Sequence, residues 1–249
     1  MKKNIAVFFC LLLTLCLLLS ACVSKEPFEL YMRPLENHRA KDLQAMYDAA
    51  SFIVVGTFGD YELNGNMNEE LDEPYTNYFQ PRGESRIYEF HVEEIWKNNV
   101  DDLRETIKVA VPYRQLKEGI LLPEVTGDRK EDSYSIPFTH AYFIEPKEDA
   151  RYLLFLCSIR SGRYRAATEP YRIRIDEGDI LALESNLTLS EEEKEIHTLQ
   201  TGVSTNGREL FFHSQGLDSS FDDQISGLTL QEAQEQLGVK NVFTFPYQH

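Results

Sequence analysis

The chain has 249 residues, with 41 acidic side chains against 25 basic ones and a formal net charge of −16. Such a balance excludes a nucleic-acid footprint, which needs clustered Lys and Arg to displace counterions. The length allows one domain, or one domain with an appendage.

The amino terminus carries the three parts of a secretory signal: Lys2 and Lys3, an apolar stretch from Ile5 to Leu19, then the small residues Ser20 and Ala21. The stretch is shorter than the roughly 20 apolar residues of a membrane span. Leu19-Ser20-Ala21-Cys22 resembles the lipobox of bacterial lipoproteins. The resemblance implies cleavage before Cys22, a diacylglyceryl thioether on its sulfur and a cell-membrane anchor of two acyl chains on the extracytoplasmic face. Two chains hold stably where one is marginal. An ordinary secretory signal cut at the same place is the alternative. Loss of Lys2 and Lys3 takes the charge from −16 to −18, so an anionic membrane repels the domain and holds it off the surface. Cys10 and Cys16 leave with the signal, and Cys157, left without a disulfide partner, is expected to be a buried, inert thiol.

Residues 22–34, with Pro27 and Pro34, read as a tether. Leu43, Met46, Tyr47 and Ala50 recur at helical spacing and predict a helix over 36–50. Phe52-Ile53-Val54-Val55-Gly56-Thr57 predicts a core strand. A long polar loop follows, from Asp60 to Ser85. Its acidic-then-aromatic run ends in Tyr75, Tyr78 and Phe79, which either dock a partner or fold back on the domain. Tyr88, Phe90 and Val92 alternate with Glu89, His91 and Glu93 as a half-buried strand, slipping at Glu93-Glu94 as a bulge would make it. Ile107, Val109 and Val111 predict a strand ended by Pro112, and a polar loop is expected from Thr126 to Ser135. Further strands are expected over Tyr152–Ile159, Arg163–Ala167, Tyr171–Ile175 and Ile180–Leu183, the last two joined through Asp176-Glu177-Gly178-Asp179. From Asn186 the character turns helical, with capping boxes at Ser190/Glu193 and Thr229/Glu232. Between these, residues 201–227 hold one strand-like run, Leu210-Phe211-Phe212.

The expected fold is mainly β (α+β): a small β-barrel over 35–185 with an N-terminal helix, and a C-terminal helical appendage over 186–249. Three stretches resemble the small OB-like barrels of exported Firmicute proteins, themselves distantly similar to the netrin/tissue-inhibitor-of-metalloproteinase type. They are Ala49-Ala50-Ser51-Phe52-Ile53-Val54-Val55-Gly56, Phe90-His91-Val92-Glu93-Glu94-Ile95-Trp96-Lys97 and Arg151-Tyr152-Leu153-Leu154-Phe155-Leu156. Inhibitors of that type carry disulfides and a free amino-terminal Cys for zinc, which this chain lacks, so the resemblance does not extend to protease inhibition.

No phosphate loop, HExxH, G-x-S-x-G or calcium loop occurs, and no cofactor is called for. The six histidines have no ligand spacing. His91 between Glu89 and Glu93 lies on one strand face, either solvated or part of a metal site with ligands from elsewhere. Arg163, Arg165, Arg172 and Arg174 alternate with apolar residues. If their strands pair, four guanidinium groups share one face, neutralised by Asp and Glu or binding an anionic envelope polymer or lipid head group. The expected function is a non-catalytic binding or interaction module with an envelope ligand or protein as partner. A hydrolase with dispersed residues is the competing class.

Overall fold

The computed structural model describes residues 27–32, 39–66, 83–100, 103–127, 130–140, 142–160, 162–190, 192–193, 199–214 and 221–245. Its centre is a barrel of five strands: β2 (Phe52–Asn66), β3 (Gly83–Asn98), β4 (Thr106–Leu121), β6 (Arg151–Arg160) and β7 (Arg163–Ala166). Numbered in chain order among themselves, their neighbours run first, second, third, fifth, fourth and back to first. The barrel closes through a parallel pairing of β4 with β7, Lys108 to Ala110 against Arg163 to Arg165. Mutual pairing around the ring leaves the barrel itself without a free edge.

The run Phe52 to Val55 is buried on both faces, as is Tyr152 to Leu156 on β6. Short helix α1 (Leu43–Ala49) lies outside them, capped at its start by the Asp42 carboxylate, which accepts from the Ala45 N–H at 2.7 Å. The helix expected from residue 36 is thus described only over Leu43–Ala49; Arg39 instead bridges to Glu169, and Ala40 donates to the Glu169 carbonyl. Inside, Phe58 meets Tyr88, Phe90 and Tyr152 edge to face, and Phe52 stacks on Tyr164. The bulge read at Glu93-Glu94 is present: Val55 pairs with Glu94 and Gly56 with Val92, leaving Glu93 unopposed.

Pro112 does not end its strand, because on one edge it falls in a gap between pairings. There the pairing with β7 stops at Ala110 and that with strand β5 (Asp132–Thr139) begins at Arg114; on the other edge Pro112 pairs with Ser85 of β3, where the register slips between Ser85 and Glu84. A residue without an N–H is tolerated there. The second half of β4 therefore leaves the barrel as a hairpin with β5, across a one-turn helix α2 (Pro123–Thr126). The polar loop expected from Thr126 to Ser135 is shortened accordingly, since β5 starts at Asp132.

Two strands complete the barrel side, β8 (Arg172–Asp176) and β9 (Ile180–Leu183), joined as the expected hairpin with Gly178 at φ 75°. The region around 201–227 holds two strands rather than one run: β10 (Leu199–Val203) and β11 (Glu209–Ser214). They form a three-stranded sheet with β1 (Phe28–Met32), which lies within the span read as a tether and runs parallel to β11. This sheet stacks on the β4–β5 hairpin around Leu121, Ile136, Phe138, Leu210 and Phe212. Gly202 permits the approach, since a Cβ there would overlap the Ile136 side chain. Helix α3 (Leu230–Gln236), with its capping box at Thr229/Glu232, packs on the main core through Leu230 and Ala233, and β12 (Phe243–Thr244) adds to the β3 edge. Among the described residues no helix is long and apolar enough to cross a membrane.

Candidate functional site

The four arginines do not form one paired face. β7 and β8 lie end to end along the same edge of β6, with Arg165 opposite Cys157 and Arg172 opposite Leu154. Residues 168–170 leave the sheet between them, through a cis Glu169-Pro170 bond, while Ala167 and Tyr171 keep backbone bonds to Phe155 of β6. Arg163 and Arg165 stand half-buried beside β4, while Arg172 is almost wholly buried.

Around Arg172 is a buried charge centre. Its Nη2 lies 3.2 Å from Glu184 Oε2 and donates to the Ile144 carbonyl at 3.0 Å, and the guanidinium carbon sits 5.5 Å from the centre of the Tyr152 ring. Arg174 reaches the other oxygen of Glu184 at 2.9 Å and grips Asp176 with two bonds, of 2.6 and 3.1 Å. That grip holds the Asp176 carboxyl below its ordinary value. Asp176 and Glu184 thus neutralise both arginines in place, so an anionic polymer would have to displace a carboxylate. Nearby, burial pushes the Glu169 carboxyl up to about 8 against the pull of Arg172, and burial likewise raises the Tyr171 hydroxyl to about 12.

Residues 142–150 cross one end of the barrel. Glu145 accepts from Arg86 and from the Tyr88 hydroxyl, and Arg86 lies 4.0 Å over the Tyr113 ring with Phe143 beside it. Burial, reinforced by Glu145, raises the Tyr88 pKa, so its hydroxyl stays a donor. His140, just after the end of β5, is pushed down to about 4 by burial and by the Lys117 ammonium.

Beside this end opens a cleft of about 490 Å³, between the turn at Asp149 and the β8–β9 turn. Its polar walls are Asp149, Arg151, Arg174, Asp176, Glu177 and Asp179. Asp149 and Asp179 take left-handed backbone conformations, φ 60° and 58°, which Asp tolerates better than most residues. Arg151 is held between Glu93 and Asp179, each at 2.9 Å, and Arg174 by Asp176 and Glu184. The cleft can therefore offer carboxylate oxygens and fixed guanidinium groups to a polar ligand. Glu169 and His140, whose proton affinities are strongly shifted, do not line it. Among the described residues no group of His, Cys, Asp and Glu has metal-holding geometry.

His91 is exposed, with Nδ1 3.3 Å from the Thr106 hydroxyl, and its neighbour Glu93 is engaged by Arg151. Cys157 is half-buried rather than buried, its Sγ 3.5 Å from the Ala166 carbonyl, because the double cover over β6 ends at Leu156. Cys22, Tyr75, Tyr78 and Phe79 lie outside the described residues. Sequence reasoning missed Glu184, although the Asp176–Asp179 turn puts it beside Arg172 once Ile173 pairs with Leu183. Glu145 and Glu169 had no such signal, since loops bring them to their partners. Compared with known protein families, with curated proteins and with solved structures, the chain matches none.

Proposed function

We propose that the chain is a lipid-anchored protein on the extracytoplasmic face of the bacterial cell membrane, and that its barrel is a non-catalytic binding or interaction module. The observation that carries the anchor is Leu19-Ser20-Ala21-Cys22 at the end of a short apolar stretch behind Lys2 and Lys3. We read the barrel as OB-like; the support is its strand order and the parallel pairing of its third and fifth strands, those of a five-stranded Greek-key barrel. The binding reading is supported by an open cleft of mixed charge in which Arg151 and Arg174 are fixed by carboxylates, so that charged groups are held in place for a polar ligand. Tyr75, Tyr78 and Phe79, between β2 and β3, are the candidate contact residues for an envelope protein or ligand. An overall charge of −18 after signal cleavage argues against nucleic acid.

Metabolic labelling with a fatty acid tests the anchor. Wild type is expected to take up label and Cys22→Ala to take up none while keeping its signal. Equal label on both proteins refutes the reading.

A further inference from the structure

Three parts of the chain meet at the end of the molecule farthest along β4 from the barrel. β1 begins there, with Phe28 opposite Leu210 at the start of β11. The β10–β11 turn is there too, because Val203 pairs with Glu209. So is the tip of the β4–β5 hairpin, since Leu121 pairs with Asp132. Polar bonds bolt the last two together: the buried Asp132 carboxylate accepts from the Ser204 hydroxyl and from the Asn206 N–H at 3.0 Å, the Thr205 N–H donates to the Ser133 carbonyl at 2.8 Å, and Arg208 Nη2 donates to the Thr126 carbonyl at 3.2 Å.

On this base stand apolar side chains that are exposed among the described residues. Ile120 is 60% exposed, Leu122 48%, Val125 59% and Val203 62%. The core beneath them is already filled by Leu121, Ile136, Leu210 and Phe212, so these four are not needed to close it. Ile120 and Leu122 face away from this core on the hairpin and Val203 faces away from it on the small sheet, so exposed apolar groups flank one extremity on both sides, the form of a contact surface.

The chain itself indicates what covers it. Six residue steps separate Cys22 from Phe28, a reach of at most about 20 Å. Resting on the lipid-anchor reading above, we propose that Ile120, Leu122, Val125 and Val203 enter the boundary between head groups and acyl chains of the bilayer that holds the Cys22 lipid. The anchor then emerges beside the apolar tip, not beside the acidic barrel. β4, whose 16 residues can span ~50 Å, carries the barrel outward from that contact. Electrostatic repulsion holds the acidic bulk off the surface while the tip alone touches it, to the shallow depth typical of interfacial side chains.

The test uses acylated protein purified from membranes in a Cys157→Ala background, reconstituted into phosphatidylglycerol–phosphatidylethanolamine vesicles. An environment-sensitive fluorophore is placed at Val125→Cys and, in a second variant, at Glu105→Cys, just before β4 begins. Lipids bearing a spin label near the head group serve as quenchers. At residue 125 the emission is expected to shift to the blue and fall at least twofold with the quencher; at 105 it should do neither. Vesicle-bound protein with residue 125 as wet as 105 overturns the contact and leaves the anchor standing. A blue shift without quenching means that protein, not lipid, covers the tip, and overturns it equally. Absence of both fatty-acid label and vesicle flotation overturns the anchor, and the contact with it.

Discussion

Arg172 and Glu184 are a buried ion pair, their side chains 3% and 9% exposed, and the pair makes Arg172 a test of how the barrel tolerates charge. Replacing Arg172 by Met removes the cation from beside Glu184 and Glu169 and the donor from the Ile144 carbonyl. Breaking a buried pair from one side costs about 3–5 kcal/mol, because the remaining charge stays desolvated. Arg174 still reaches Glu184, which sets the expected cost at the lower end, about 3 kcal/mol. For a chain of this length each kcal/mol moves the melting temperature by about 2–4 °C, so a drop of about 6–12 °C is expected by thermal circular dichroism. Removing both charges with Arg172→Met and Glu184→Leu should recover most of the loss, since an apolar pair of similar volume is often as stable as the ionic one. A single variant melting within about 1 °C of wild type refutes the reasoning. So does a double variant no better than the single. If phosphate raises the melting temperature of wild type but not of Arg172→Met, the arginine serves an anionic ligand instead.

Between pH 4.5 and 8 the folded state keeps a proton on Glu169 that the unfolded chain gives up, so this residue makes stability fall as pH rises through that window. Glu169→Gln should flatten that slope in denaturant titrations at stepped pH; an unchanged slope assigns it to another group. On the acid side His140 works in the opposite sense: the unfolded chain takes its proton near 6.5 and the folded state only near 4, so stability falls as pH drops through that interval and His140→Gln should lessen the loss. Gly56→Ala should cost about 1–3 kcal/mol in urea unfolding, because a Cβ would overlap the His91 carbonyl oxygen and press on the Phe90 ring; a neutral substitution would mean that β3 yields there.

Local signals carried over well into the structure where the contact partners are near in the chain. The alternation at Tyr88, Phe90 and Val92, the slip at Glu93 and the turn at Asp176–Asp179 each depend on a strand and its own hairpin. Pro112 misled because its tolerance depends on where three other strands start and stop. β10 was hidden by its composition, with Gly202 and Thr201 in place of the usual bulky alternation, and it is held as a strand by β11. Of the candidate site, Arg172 and Arg174 were visible as charges inside a strand pattern, but their partners arrive from β9 and from loops. The cleft was invisible, since the turns on its two sides come together only through β6 and β8.

The pairing of β1 with β11 joins residues 182 positions apart, from Phe28 to Leu210. A chain that emerges amino end first therefore presents β1 long before its neighbour exists. The five barrel strands are complete by Ala166, 43 residues ahead of Glu209, so the barrel can close while β1 still waits. Closing so long a loop carries an entropy cost that grows only slowly with length, but it delays the event itself, as pairings distant in sequence do. The order of assembly is thus written into the topology: the first strand to appear is among the last to find its place, and the small sheet that contains it seals the molecule.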